Sequence, residues 1–351
     1  MTSLPAPTPA GSTPPNGSTE PEAKAKPHID PAVQAFEESG EGRAPLRLRV
    51  INLFAVAIPF GGFLAAIILL WGVAFNWLFL ALMISMYLIT GFGITIGYHR
   101  LFTHRSFKAP RPIVALLAIM GSMAVQGPVL QWVAVHRRHH RHSDHDHDPH
   151  SPHGHGHGIW NTLKGVWHSH LGWVITSYRF TPTPEEKLSE KHELKRSVKD
   201  LLQDPLIKWM NYTFPIWMVL GMVIPAAIGG LVMGTWTGAL LGFLWGGLAR
   251  CTLMHHMTWS INSVCHIWGT RPFHSHDHSR NNPIFGVLAL GEGWHNNHHA
   301  FPTSARHGLR WWEIDFSYLI IRGMERIGLA SDVRTPSASG MASKRRPTAA
   351  A

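Results

Sequence analysis

Charge and histidine vanish from two long stretches of this chain. No Asp, Glu, Lys, Arg or His occurs between Val50 and Tyr98, or between Trp209 and Ala249. Each stretch is about twice the ~20 residues that one helix needs to cross the hydrocarbon of a bilayer. The pattern predicts two membrane hairpins, with helices over about 50–73, 75–97, 212–233 and 235–257. The turns around Asn76 and Gly234 carry no charge, and Pro215 and Pro225 stand where a membrane helix tolerates a kink. A third apolar stretch, Ile113 to Val125, is too short to span and is expected in the interface or buried in protein. Its placement decides the topology, because histidines stand on both sides of it. If it does not cross, all of them share one membrane face.

Residues 1–45 are rich in Pro, Gly, Ser, Thr and Glu, which predicts a disordered tail, and 332–351 read the same way. The N-terminal segment has no signal-peptide apolar core, so the first span is expected to direct insertion. Between the tails lies one all-α membrane domain, 46–331, with four transmembrane helices in two hairpins. Its polar parts, 98–208 and 259–331, are expected to form a helical cap.

The formal charge of +10 might suggest a nucleic-acid partner. The excess, however, flanks the apolar blocks at Arg43, Arg47, Arg49, Arg100, Arg105, Lys108, Arg111, Lys208 and Arg250, or lies near the C-terminus. That asymmetry follows the positive-inside rule and puts both termini and the cap in the cytoplasm. No nucleic-acid motif accompanies it, so no nucleic-acid partner is expected. Two cysteines, Cys251 and Cys265, offer neither a disulfide framework nor a thiolate metal site.

The chain's chemistry lies in its 26 histidines. His99 and His104 stand in HRLFTH; His136, His139 and His140 in HRRHH; His266 closes NSVCH, with Asn262 beside it; His295, His298 and His299 stand in HNNHH. In HxxHH the first ring lies at i relative to i+3 and i+4, so all three can share a helical face. The adjacent pair diverges by about 100° around the helix, so its two rings can serve two metals. His99 and His104 are five apart and turn away from each other on a regular helix. The helix must end between them, or the chain must bend. Neutral imidazole ligates iron and other divalent transition metals, and nine such rings suit two ions. The Glu and Glu-x-x-His pairs of soluble di-iron bundles do not occur here.

These boxes, with GYHRLFTHRSFK, HRHSD…DPHSP, DHSRNN and GEGWHNNHHAFP, closely resemble the membrane fatty acyl desaturase family, and its Δ9 branch in particular. The resemblance covers about residues 50–320. It implies a mushroom of four transmembrane helices under a cytoplasmic cap, and two ferrous ions held by His99, His104, His136, His139, His140, His266, His295, His298 and His299. Asn262 would act through a metal-bound water. By the same resemblance Trp132 and Thr258 pinch a bent acyl tunnel. Tyr87 and Gly91 limit its depth, and Gly91, lacking a side chain, would permit a deep one. Asp144, Asp277 and Glu292 are expected to orient imidazole N–H groups.

What the resemblance implies is insertion of a cis double bond, at Δ9, into a long saturated acyl chain. O2 is the oxidant, and a separate ferredoxin, cytochrome b5-like protein or flavoprotein reductase donates the electrons. Neither a haem-type HPGG segment nor enough cysteine for a fused cluster is present. Gly127 and Val135 replace polar residues that hold the CoA headgroup in animal members, so CoA, carrier-protein and lipid esters all stay open as acyl carriers. Pro283 follows DHSRNN where the family has Trp. The His-rich insertion 145–158 reads as a flexible Gly-His tract with incidental metal affinity. A histidine-box hydroxylase or ketolase is the nearest alternative. A metal transporter is a more distant one, because it should place polar ligands near the bilayer midplane.

Overall fold

The structure, a computed structural model, describes residues 46–72, 76–145, 148–177 and 196–347. The expected N-terminal tail lies outside the described residues, as do the tip of the first hairpin and part of the His-rich insertion. Among the described residues the fold is helical, with isolated β-bridges and no strand.

Helix α1 (Leu46–Gly72) is followed by α2 (Trp77–Phe92), which continues without a break as a π-helical segment, Gly93–Thr103. Helices α3 (Arg111–Ser122), α4 (Val129–His142) and α5 (Ile159–Trp167) follow, and α5 also runs on as a π-helix, His168–Ser177. Short α6 (Lys199–Leu202) and α7 (Pro205–Tyr212) lead into α8 (Phe214–Met233). The return rod is α9 (Trp236–Gly242), a π-helical Phe243–Ala249 and α10 (Arg250–Ile267). Helices α11 (Pro283–Leu288), α12 (His295–Ala300), α13 (Phe316–Arg326) and α14 (Ala338–Lys344) complete the chain.

Among the described residues three helices are long and apolar enough to cross a membrane: Asn52–Leu69 within α1, Trp77–Thr103, and Phe214–Met233. The fourth expected span falls on the return rod. There Arg250, His255, His256 and His266 interrupt the apolar run, although the rod is continuous. The apolar stretch after Ile113 forms α3, a helix of 12 residues packed along Gly93–Thr103.

Glycine sets two of these close approaches, as small residues do between membrane helices. A Cβ on Gly93 would lie 2.2 Å from the Gly121 nitrogen, so the backbones of α3 and the π-segment can approach this closely only because that side chain is missing. A Cβ on Gly242 would lie 2.1 Å from the Pro225 carbonyl oxygen, which brings α8 against α9. The junction of these elements is pinned by Arg250. Fully buried, it donates to the carbonyls of Gly246 (3.1 Å), Met123 (2.8 Å) and Gly221 (3.0 Å).

The C-terminal segment departs from the sequence expectation of a disordered tail. Over 332–347 it is held on the domain: Ala305 N–H donates to the Arg334 carbonyl at 2.8 Å, His274 N–H to the Lys344 carbonyl at 2.7 Å, and Lys344 Nζ to the Ala300 carbonyl at 2.6 Å. Composition alone missed this because backbone pairing with Pro272–His274 and Ala305 requires no apolar pattern.

Candidate metal centre

The π-helical winding brings the first two histidines together. The helix does end between them, at Thr103, but His104 N–H still donates to the His99 carbonyl at 3.1 Å, the five-residue closure of a π-turn. Their ring centroids stand 4.8 Å apart. Helix α4 presents His136, His139 and His140, the end of α10 presents His266, and α12 presents His295, His298 and His299.

The nine rings converge as two groups. One is His99, His104, His136, His140 and His298; the other is His139, His266, His295 and His299, and within each the nitrogens lie within 4.8 Å of one another. The adjacent pairs part as their 100° divergence requires: His139 and His140 go to different groups, and so do His298 and His299. Asn262 lies one helical turn before His266 and lines a cavity that also reaches His295.

The donor chemistry fits metal ions. The Nε2 atoms face each other at 3.1 Å (His99–His298), 3.0 Å (His136–His140), 2.9 Å (His140–His298) and 3.0 Å (His266–His295). The Nε2 atoms of His104, His139 and His299 are buried without a hydrogen-bond partner. Burial and the neighbouring rings hold His104, His136, His140, His295 and His298 well below the usual imidazole range. Neutral rings with converging lone pairs are what a divalent transition metal binds.

Carboxylates take the opposite nitrogens. Glu292 Oε2 lies 2.5 Å from His99 Nδ1, Asp144 Oδ2 lies 2.7 Å from His266 Nδ1, and Asp277 accepts from His299 Nδ1. Burial alone would raise Asp144 and Asp277. His266 and His299 outweigh it and hold both well below the carboxylate range. Each such bond fixes a proton on Nδ1 and frees the Nε2 lone pair.

A fourth carboxylate was missed. Asp148 accepts from His139 Nδ1 at 3.0 and 3.1 Å and from the N–H groups of Asp144 and His150. Asp148 and His150 of the His-rich insertion are therefore built into the centre, which corrects the reading of this part as an incidental Gly-His tract. His150 packs against His139, the rings tilted by 35° with centroids 4.3 Å apart, and burial pushes it down to about 3. The Asp-Pro-His-Ser-Pro run was the available signal, since prolines mark a defined turn and not a flexible tract. His307, Arg100 and Asp315 were also missed. Arg100 donates to Asp315 at 3.0 Å, contacts His307 Nδ1 at 2.9 Å and pairs with Glu292 at 2.8 Å. Nothing in the spacing of RHG around His307 marks it.

A largely apolar cavity of about 350 Å³ opens onto this cluster. It runs from His99, His136 and His295 out to Asn52, Ala55, Phe214 and Met218. Trp132 and Thr258 line it, tied through Gln126: Trp132 Nε1 donates to Gln126 Oε1 at 3.3 Å, and Gln126 Nε2 to Thr258 Oγ1 at 3.0 Å. Tyr87 and Gly91 do not line it. The Tyr87 hydroxyl donates to the Leu288 carbonyl at 2.7 Å. The space beside Gly91 is occupied: a Cβ there would lie 2.7 Å from Leu290 Cδ1 and 2.8 Å from Met254 Cε. The deep tunnel expected from the missing side chain is therefore filled by two others.

Comparison with known proteins agrees with these boxes. Residues 75–326 match the family model described as fatty acid desaturase. The chain is 43% identical over 290 residues to a hex-5-enoyl acyl-carrier-protein acetylenase of Moorena producens, covering 82% of this chain and 87% of that protein. It is 38% identical over 266 residues to Delta-9 acyl-lipid desaturase 1 of Arabidopsis thaliana (76% and 78% covered). It is 35% identical over 272 residues to an sn-1 stearoyl-lipid 9-desaturase of Synechocystis (77% and 76% covered).

Proposed function

The chain belongs to the fatty acid desaturase family, and from that premise we propose that it places a cis double bond, at Δ9, into a saturated acyl chain at a histidine-held di-iron centre. The observation that carries this is the convergence of nine buried imidazoles into two groups beside an apolar cavity. In this reading one Fe2+ is held by His99, His104, His136, His140 and His298. The other is held by His139, His266, His295 and His299, with Asn262 acting through water. When bound, the two ions supply the O2-dependent oxidising power that removal of hydrogen from an unactivated methylene requires.

The chain's own residues do the rest. Glu292, Asp144, Asp277 and Asp148 hold protons on the Nδ1 atoms of His99, His266, His299 and His139, which keeps each ring in one tautomer and orientation. Trp132 and Thr258 press on the acyl chain, and the apolar walls position one pair of methylenes beside the metals while excluding water. A separate ferredoxin, cytochrome b5-like protein or flavoprotein reductase brings the electrons to the cap. The fitting topology has four spans, with α9 to α10 as the fourth, and both termini and the centre on the cytoplasmic face. The relatives' names divide the acyl carrier among carrier protein, lipid ester and CoA.

Expression in a desaturase-deficient host, followed by gas chromatography–mass spectrometry of its lipids, tests the proposal. The expected product has lost two hydrogens and carries a cis bond at the ninth carbon, and His298→Ala abolishes it. A product that gains one oxygen instead would mark a hydroxylase and overturn the reading.

A further inference from the structure

The cavity is lined by Ile94 and Thr258, whereas Tyr87 and Gly91 are not on its wall. One helical turn before them, at i−3 and i−4 on the same helix faces as Ile94 and Thr258, stand Gly91 and Met254. The side chains of Leu290 and Met254 both close on the face of Gly91: a Cβ there would meet Leu290 Cδ1 at 2.7 Å and Met254 Cε at 2.8 Å. Gly91 is therefore the notch that admits Leu290, and Leu290 and Met254 are both buried.

Leu290 is held there by its backbone. Its φ is +58°, a left-handed conformation that side-chain-bearing residues seldom adopt. The Leu290 carbonyl accepts from the Ser317 N–H at 3.1 Å and from the Ser317 hydroxyl at 2.8 Å, and that hydroxyl also meets Thr95 Oγ1 at 2.7 Å. Strain of this kind persists only where the surroundings over-determine it. Two residues later Glu292 meets His99, so the same turn that orients a metal-facing ring also aims Leu290.

We propose that Leu290, backed by Met254, is the floor of the acyl cavity and limits how many carbons lie between the new double bond and the methyl end. The inference rests on the desaturase reading above and makes the substrate an acyl chain that is short on its methyl side. A pocket that must exclude an extra methylene discriminates by about tenfold or more.

The test is a host lacking its own desaturase, supplied with lauric, myristic, palmitic and stearic acids and expressing wild type, Leu290→Gly or Met254→Ala. Double bonds are located by mass spectrometry, and iron per chain is measured on each purified protein. Glycine accepts the left-handed φ, so Leu290→Gly removes the floor without new strain. Wild type is expected to concentrate product in the shorter acids. Leu290→Gly should raise the ratio of long to short products about tenfold, and Met254→Ala should raise it less, both with wild-type iron. If Leu290→Gly fails to accumulate, Met254→Ala decides on the same ratio. Ratios equal to wild type in iron-replete variants overturn the floor. A host in which wild type forms no double bond from any of the acids overturns the desaturase reading, and the floor with it.

Discussion

Asp148→Asn tests how the histidine cluster is held. The carboxylate has no exposed side-chain surface, and its two oxygens accept from three groups. Oδ1 accepts from His139 Nδ1 and the His150 N–H, and Oδ2 from His139 Nδ1 and the Asp144 N–H. An amide fills the same volume but turns one acceptor into a donor. Whichever way it is flipped, an NH2 faces either the Asp144 or the His150 N–H, and the negative charge that draws the His139 proton onto Nδ1 is gone. A buried donor left unsatisfied costs about 1–3 kcal/mol. Loss of an outer partner of a metal-bound histidine typically costs 10- to 100-fold in metal affinity, or about 1.4–2.7 kcal/mol. The expected result is that this variant releases one equivalent of iron at about 10- to 100-fold lower chelator concentration than wild type, while the ion of the His99 group stays bound. The assay is chelator titration of detergent-purified protein with iron counted by mass spectrometry. Unchanged release of both ions would refute the role given to Asp148.

Other perturbations follow from the same geometry. Arg250→Met leaves the buried carbonyls of Met123, Gly221 and Gly246 without their donor and should destabilise the fold by on the order of 3 kcal/mol; thermal unfolding in detergent reads it, and an unchanged midpoint would contradict the pinning role. Gly93→Ala forces α3 away from the π-segment, at a cost of about 1–3 kcal/mol and with loss of bound iron, because His99 lies on that segment; wild-type iron content would count against it. Burial acts to raise Asp200, but Arg137 and Arg105 outweigh it and hold it at about 2. A carboxylate whose folded value is depressed contributes stability above its unfolded value near 4, and that contribution is lost as pH falls toward about 2. Asp200→Asn should therefore lower the unfolding midpoint at neutral pH, with the difference from wild type closing between about pH 4 and pH 2; a constant gap across that range would refute it.

The spacing of the histidines was legible because a ligand set is a statement about periodicity, and i, i+3, i+4 has one meaning on a helix. The pair five apart was the misfit, and it marked the place where the helix is not an α-helix. The chain reads as one apolar run up to Tyr98, across the point at Gly93 where the winding changes, so hydropathy could not register the π-turns. Gly91 misled for a different reason. An absent side chain creates space only if nothing enters it, and the intruder, Leu290, is far off in sequence. Asp148 was hidden by composition, since a run of His, Asp and Gly looks alike whether it wanders or is folded against His139. The C-terminal segment was hidden similarly, because backbone pairing through Arg334 and Lys344 leaves no side-chain signature.

The division of rings between the two groups also explains why the centre sits on so few elements. Helices α4 and α12 each contribute adjacent histidines, one to each group, so the same two backbones frame both sites. The π-segment supplies only the first group and α10 only the second. Displacing α4 or α12 must therefore disturb both sites together, whereas a change at His104 or at His266 is confined to one. The carboxylates follow the same partition. Glu292 serves His99 in the first group, and Asp144, Asp148 and Asp277 serve the second. The second group has fewer imidazoles and more carboxylate support. Three carboxylates hydrogen-bonded behind these rings raise their basicity as ligands, which offsets the missing fifth ring in holding a divalent ion.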